Sequence, residues 1–390
     1  MRLLKIGVYY SAYLNQFYAR YPNLQHQAYP LQHAALINDC FGSSDFWTRA
    51  LNKLGYETCD VIANAEPLQK MWAKEHGLVV DSSTWLFDIT AAQVKAFQPD
   101  VLLVADYSTV TAEFLRTLKD ACPSIRLILG WCGAPYHDDS VFRECDVVLS
   151  CVPELVRNFQ DNGHLSRHVN HAFDARVLER IHAEEAKADF VFLGSVFKAK
   201  DFHIDREKIL SQLIRKTDLR IWSDISQPPS QAPRRSLWSR LRRGSQHGFG
   251  SAKEILSSSH SVDPRLRGRS KPALFGLEMF QQLHDSRVAL NTHIDISPTN
   301  ASNMRLFEAT GVGTCLLTDW KSNLAELFEI DAEVVAYRHV DECVEKVEYL
   351  LEHDADRRDI AAAGQRRTLR DHTFYHRAAR IDDIIRESFA

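Results

Sequence analysis

Asp189-Phe190-Val191-Phe192-Leu193-Gly194-Ser195 restarts a pattern that the first half of the chain has already run once. A short apolar run closing on glycine and serine reads as a buried parallel strand entering a turn. Arg206–Lys216 follows as a helix and Leu219–Trp222 as a strand. Further along, Leu274–His284 reads as a helix, Val288–Asn291 as a strand and Cys343–His353 as a helix. Strands and helices in this alternation build a doubly wound parallel sheet.

Upstream the same rhythm is visible. Leu4–Tyr10 and Glu57–Ile62 read as strands around a helix over Asp45–Leu54, which Gly55 ends. Ala91–Phe97 is helical, Val101–Ala105 is an apolar central strand, Thr111–Ala121 a helix and Ile125–Trp131 a strand. Val147–Cys151 is a strand and Pro153–Asn162 a helix ending at Gly163. Two such units in series imply a cleft lined by the carboxyl ends of both sets of strands.

Inside the second unit lies Ser297-Pro298-Thr299-Asn300-Ala301-Ser302-Asn303-Met304-Arg305-Leu306-Phe307-Glu308-Ala309-Thr310-Gly311-Val312-Gly313-Thr314-Cys315-Leu316-Leu317-Thr318-Asp319. It reads as a polar loop, a short helix, a glycine turn and a buried strand. Arg305 and Glu308, three apart, share a helical face. A helix N-terminus with free N–H groups suits a phosphate, and a carboxylate one turn on suits ribose hydroxyls.

The bulk properties fit. At 390 residues the chain exceeds one ordinary core, and 45% hydrophobic with 25% charged residues describes a globular protein. A net charge of −4 gives no general attraction to nucleic acid, and no apolar run approaches a membrane span. The opening Met1-Arg2-Leu3-Leu4-Lys5-Ile6-Gly7-Val8-Tyr9-Tyr10 reads as a strand rather than a signal peptide. Eight cysteines without a C-x-x-C pair fit reduced, buried thiols in a cytoplasmic protein.

Between Gln227 and Lys271 the composition shifts to Ser, Pro and Arg, with ten Lys or Arg against two acidic residues. Within it Arg234-Arg235-Ser236-Leu237-Trp238-Ser239-Arg240-Leu241-Arg242-Arg243 suits a basic amphipathic turn. Peripheral contact with an anionic membrane face is one expectation for it, a solvated insertion loop the other.

Asn303-Met304-Arg305-Leu306-Phe307-Glu308-Ala309-Thr310-Gly311 followed by Leu316-Leu317-Thr318-Asp319 resembles the CgeB-type glycosyltransferases, relatives of the group-1 glycosyltransferases. Asn323-Leu324-Ala325-Glu326-Leu327-Phe328, Glu333-Val334-Val335-Ala336-Tyr337, Ile360-Ala361-Ala362-Ala363-Gly364-Gln365 and His372-Thr373-Phe374-Tyr375-His376-Arg377 share the resemblance. So do Phe192-Leu193-Gly194-Ser195 and Leu290-Asn291-Thr292-His293. The close match covers about residues 270–385, with a looser one over 95–225.

The resemblance implies a GT-B fold, with two Rossmann-like domains and a cleft between them. Residues 1–180 would form the acceptor domain and 188–365 the nucleotide-sugar domain, carrying the basic insertion at 227–271. Residues 366–390 would return as a helix to the first domain. The activity implied is transfer of a sugar from a nucleotide-sugar donor to a hydroxyl of a glycan or glycoconjugate, in surface polysaccharide assembly. The enzyme would be cytoplasmic or peripheral at the inner membrane face, and need neither cofactor nor metal. A sugar-nucleotide epimerase of the same architecture and a non-catalytic coat or envelope assembly protein are the alternatives.

Within that frame Arg305 is the expected neutraliser of the leaving diphosphate, being permanently charged and able to bind phosphate bidentately. Backbone N–H groups of Ala301, Ser302 and Asn303 would assist, and Glu308 takes the ribose. The Gly194-Ser195 turn would approach the phosphates, with Lys198, Lys200 or Arg206 as a further contact. Asn291 and His293 end a strand facing the cleft and are expected on the donor. Asn300 stands eight residues before Glu308, where retaining group-1 transferases carry a Glu. Asn can hydrogen-bond a sugar hydroxyl but cannot stabilise positive charge at the anomeric carbon, so retention does not carry over with the resemblance.

On the acceptor side, Gly130-Trp131-Cys132-Gly133-Ala134-Pro135-Tyr136-His137-Asp138-Asp139 follows a strand. Trp131 and Tyr136 suit stacking on sugar rings. Asp106, His137, Asp138 and Asp139 are the candidate general bases, and Tyr9 and Tyr10 end the first strand at the cleft. The Asp138-Asp139 pair has no second cluster beside it, so no metal site is expected.

Overall fold

In the computed structural model, which describes residues 1–182, 187–196, 202–226 and 262–390, each half of the alternation becomes its own parallel sheet. The first contains β1 (Arg2–Gly7), β2 (Glu57–Ile62), β3 (Val101–Val104), β4 (Leu127–Trp131), β5 (Val147–Ser150) and β6 (Ser166–His168), in the order β2-β1-β3-β4-β5-β6. The second contains β7 (Ala188–Leu193), β8 (Arg220–Trp222), β9 (Ser270–Lys271), β10 (Ser286–Asn291), β11 (Cys315–Asp319) and β12 (Val335–Tyr337), in the order β12-β11-β10-β7-β8-β9. Every pairing is parallel. In both sheets the order reverses beside the first strand of the unit, which opens a crevice at the strand carboxyl ends.

Central strands are continuously apolar because helices cover both faces. Leu102 and Val104 on one face of β3, and Val101 and Leu103 on the other, are all buried. Each such Leu or Val contributes roughly 1.5–3 kcal/mol on full burial. The helices carry ordinary start signals: Thr111 caps Ala112–Ala121 by accepting from Phe114 N at 3.1 Å, and Pro153 opens Pro153–Asp161.

Several boundaries differ from the sequence expectation. The first strand ends at Gly7, so Tyr9 and Tyr10 lie in the loop beyond it. The structure adds helices at Ser11–Arg20, Tyr29–Asn38 and Glu66–Glu75, and the one ending at Phe97 begins at Trp85. The terminal helical stretch is two helices, Asp354–Asp371 and Phe374–Phe389, broken where Thr373 and His376 form a capping box. Of the basic insertion, 262–271 holds the helix Pro264–Arg269 and β9. Residues 227–261, including the segment 234–243, lie outside the described residues, as do Lys198 and Lys200. Among the described residues no helix is long and apolar enough to cross a membrane.

The helix Phe374–Phe389 packs on the helix Phe46–Asn52 of the first unit. Phe374 lies 5.0 Å from both Phe46 and Trp47, and Tyr56 donates to Asp382 at 2.7 Å. One hydrophobic core therefore runs from Leu3 through Phe173 and Phe307 to Ile385.

Candidate functional site

The loops after the strands of both units meet. Tyr10, beyond β1, is 65% exposed yet stands between the units. Partial desolvation, together with the carboxylates of Asp224 and Glu308 from the second unit and Asp106 from the first, raises its hydroxyl above the usual range. Glu154, in the first turn of the helix after β5, accepts from Asn300 Nδ2 at 2.9 Å and Thr299 Oγ1 at 2.8 Å in the second unit. Ile296 packs on the cluster around Cys132 and Phe142. The cleft is thus bounded by residues of both units.

On the second unit's side, Arg305 opens the short helix Arg305–Gly311. Its Nη1 pairs with Glu308 Oε2 at 2.9 Å, its Nη2 donates to the carbonyl of Leu193 at 3.1 Å, and both lie 3.3 Å from Met279 Sδ. Arg305 Nε is buried without a partner. Glu308 is 6% exposed, and burial raises its carboxyl while the Arg305 guanidinium opposes that rise. The two residues expected on diphosphate and ribose are therefore joined to each other at the base of the cleft.

Other expected donor contacts are turned inward. Gly194 N donates to the carbonyl of Trp222 at 3.1 Å and Val196 N to Asp224 at 3.2 Å. Of the Gly194-Ser195 turn expected on phosphate, the Gly194 N–H is thus consumed by the adjacent strand end. Ser195 offers its carbonyl to Arg206 Nη1 at 2.8 Å. Arg206 is buried and also donates to Thr292 Oγ1 at 2.8 Å, the Thr292 carbonyl at 2.7 Å and His203 Nε2 at 2.7 Å. Burial lowers its pKa to about 10 despite Asp319 and Asp295. Instead of reaching a ligand, its guanidinium ties the loop after β7 to the loop after β10.

Asn291 and Asn303 clasp one another. Asn303 Nδ2 donates to Asn291 Oδ1 at 2.6 Å, and Asn291 Nδ2 donates to Asn303 Oδ1 at 3.2 Å and to Thr318 Oγ1 at 2.9 Å. Their amides fix the loop–helix junction to β10 and β11. Ser302 is buried against Ser297 Oγ at 3.2 Å, and Ala301 N already donates to Asn323 Oδ1 at 2.6 Å. Asn300 and Asn303 are both partly open, but the Asn303 amide is spent on Asn291, whereas Asn300 Oδ1 is unbonded among the described residues.

The His293 side chain is fully enclosed, so it does not line the cleft surface. Its Nδ1 lies 2.7 Å from Asp319 Oδ1, while its Nε2 is buried without a partner. Burial favours the neutral acid of Asp319, but the His293 charge and hydrogen bond, with Lys321 at 3.4 Å, outweigh it and hold the carboxyl at about 2. Asp319, the last residue of β11, and Asp224, just past β8, are not among the sequence candidates, although the strand-end argument that selects Asp106 applies to them equally.

On the first unit's side, Asp106 accepts from Ser108 Oγ and Thr109 N, both at 2.7 Å, and faces Tyr10. His137 and Asp138 lie on an exposed loop, where Asp138 accepts from Ser140 N and Oγ at 2.9 Å and so shapes its own turn. Asp139 pairs with Arg143 and His164 instead. Tyr136 stacks on Phe159 at 4.8 Å and donates to Asn158 at 2.6 Å, which commits its ring to the fold. Trp131 is half-buried between Trp47 at 5.6 Å and His171 at 5.3 Å. Among the described residues no group of three His, Cys, Asp or Glu side chains converges as a metal cage.

Residues 206–383 match the model of a family described as glycosyl transferase-like. No curated protein matches the chain significantly. Among solved structures, a glycosyltransferase from Rickettsia africae superposes with a TM-score of 0.54 at 8% identity, covering 100% of this chain and 98% of that one. Anabaena HepE in complex with UDP-glucose gives 0.56 at 11% identity, covering 99% and 100%. An alpha-glucosyltransferase in complex with UDP-glucose and DNA gives 0.57 at 12%, covering 99% of each chain. The chain has the GT-B fold, and its second unit carries the sequence pattern of a glycosyl transferase-like family.

Proposed function

We propose that this protein is a glycosyltransferase, moving a sugar from a nucleotide-sugar donor on the second unit to a hydroxyl of a glycan or glycoconjugate on the first. The observation that carries the reading is the Arg305–Glu308 pair. It lies within the stretch matching the glycosyl transferase-like model and sits at the base of a cleft whose other wall is Tyr10 and Asp106. The Arg305 side chain keeps 14% of its surface exposed, and a guanidinium at such a position suits a diphosphate oxygen. Glu308 Oε1 stays available to ribose hydroxyls. Asp106, presented at a strand end, is the acceptor-deprotonating base in this reading.

Metal independence is part of the proposal. The carboxylates nearest the donor side are already engaged: Glu308 by Arg305, Asp319 by His293 and Lys321, Asp224 by Ser223 and Val196. We extend the reading to surface polysaccharide assembly at the cytoplasmic membrane face, with 234–243 as the anionic-surface contact.

Thermal shift with UDP, GDP, ADP and their sugar derivatives tests the reading, because a bound donor raises apparent stability by mass action. HepE was solved with UDP-glucose, which makes that the first probe. Wild type should be stabilised and Glu308→Ala not. If no nucleotide stabilises wild type, the transferase reading falls. Turnover of a sugar nucleotide without acceptor would instead mark an epimerase.

A further inference from the structure

We infer that Glu154 is a positioning residue for the donor sugar: it reaches across the cleft and fixes the carboxamide of Asn300. This leaves Asn300 Oδ1 as the atom that accepts a hydrogen bond from a sugar hydroxyl. The inference rests on the proposed transferase reading and adds a residue of the first unit to the donor site.

Glu154 lies 143 to 146 positions before the loop it holds. Its Oε1 accepts from Asn300 Nδ2 at 2.9 Å, Thr299 Oγ1 at 2.8 Å and Thr299 N at 3.3 Å, while Ser297 Oγ, 3.4 Å from its Oε2, donates to the Asn300 carbonyl at 2.6 Å. From the opposite side the loop is held by its own unit. Ser322 N and Oγ both donate to the Thr299 carbonyl at 2.8 Å, and Lys321 Nζ donates to the carbonyls of Ser297 and Pro298 at 3.0 Å. The segment is therefore clamped between the two units.

An ionised carboxylate only accepts, so it selects the N–H₂ end of a facing amide. The hydrogen bonds from Asn300 and Thr299 offset burial and hold the Glu154 carboxyl below its ordinary range. The second Asn300 N–H donates to Thr299 Oγ1 at 3.0 Å. Both amide protons are spent, and the remaining polar atom is a lone acceptor at a partly open position. Such an atom recognises a hydroxyl and rejects a group that offers no proton.

The test compares a sugar nucleotide with its own nucleoside diphosphate by calorimetric titration. The probe is whichever of UDP-glucose, UDP-N-acetylglucosamine and GDP-mannose binds wild type most tightly. Glu154→Ala frees the amide, and Asn300→Asp sets a second carboxylate against Glu154. Each should weaken the sugar nucleotide tenfold or more and leave the diphosphate within twofold. Combining Asn300→Asp with Glu154→Gln restores a donor–acceptor pair and should return affinity to within threefold of wild type. Parallel loss of both ligands, or no loss of either in the single variants, overturns the inference alone. Failure of every ligand to bind wild type overturns the transferase reading beneath it.

Discussion

Gly311 meets the face of Phe173 so closely that a Cβ built on it would lie 2.4 Å from Cγ of the ring. Phe173 follows β6, and its backbone is fixed by the returning helix: Phe173 N donates to His372 O at 2.9 Å and Phe374 N to Phe173 O at 3.2 Å. The ring cannot retreat, so the glycine is required by space at a junction between the units.

Gly311→Ala should therefore destabilise the protein by about 1–3 kcal/mol, the usual range for overpacking. Adding Phe173→Leu should recover part of the loss, because the smaller side chain opens room for the methyl. Urea midpoints for the three proteins decide it, and an unchanged midpoint for Gly311→Ala would show that the contact relaxes freely.

Glu308→Gln keeps the shape of the cleft base while removing its charge. The expected result is a folded protein with at least tenfold lower donor affinity, since hydrogen bonds to a charged group are worth about 1.5–3 kcal/mol. Arg305→Ala should cost more, because it also leaves Glu308 buried without a partner. Circular dichroism and titration with UDP separate the folding effect from the binding effect. Full donor affinity in a folded Glu308→Gln would remove Glu308 from the site.

A second buried pair lies beneath the first sheet. Lys5 of β1, 4% exposed, meets Asp60 of β2 at 2.7 Å, and Thr48 and the Ser44 carbonyl complete the cluster. Removing one partner of such a pair costs about 3–5 kcal/mol, whereas apolar replacement of both is often neutral. Asp60→Ala should thus be far more damaging than Lys5→Met combined with Asp60→Leu. Equal denaturation midpoints for the two variants would contradict this.

Stability should fall as pH drops below about 6.5. Burial first, and the Arg377 or Arg206 charge second, lower His171 to about 3 and His203 to about 2. Burial also lowers His372, to about 4. Each is neutral in the fold, while the unfolded chain protonates near 6.5. The unfolded state then binds more protons, so stability rises with pH across this window and is lost as the folded pKa values are approached. His372 alone accounts for about 3 kcal/mol between pH 6.5 and 4. Its Nε2 bonds the Leu327 carbonyl at 2.8 Å and its Nδ1 accepts from Arg377 at 2.9 Å. His372→Gln should flatten the thermal-stability profile over pH 4–7, and an unaltered slope would assign the effect elsewhere.

Much of the architecture could be read from Val101–Val104 and its like, because a parallel strand covered on both faces must be apolar throughout. The helix Tyr29–Asn38 is harder to read because exposed Leu31 blurs its helical period. At the site, residue type led to Tyr10, Asp106, Arg305 and Glu308, but not to what each side chain faces. Arg206 looks like a phosphate ligand until the Thr292 and Ser195 carbonyls are seen to occupy it. Glu154 resembles any acid in a first helical turn, and only the tertiary fold brings it to Asn300.

The contact of Phe374–Phe389 with Phe46 and Trp47 also bears on how the molecule forms. Domains emerging from the ribosome ordinarily fold in turn, amino-terminal first. Here the first unit lacks one wall of its core until a helix encoded more than three hundred residues later has been made. Both halves must then reach maturity together, and a nascent chain stalled anywhere before Phe374 would expose Phe46 and Trp47 to chaperones.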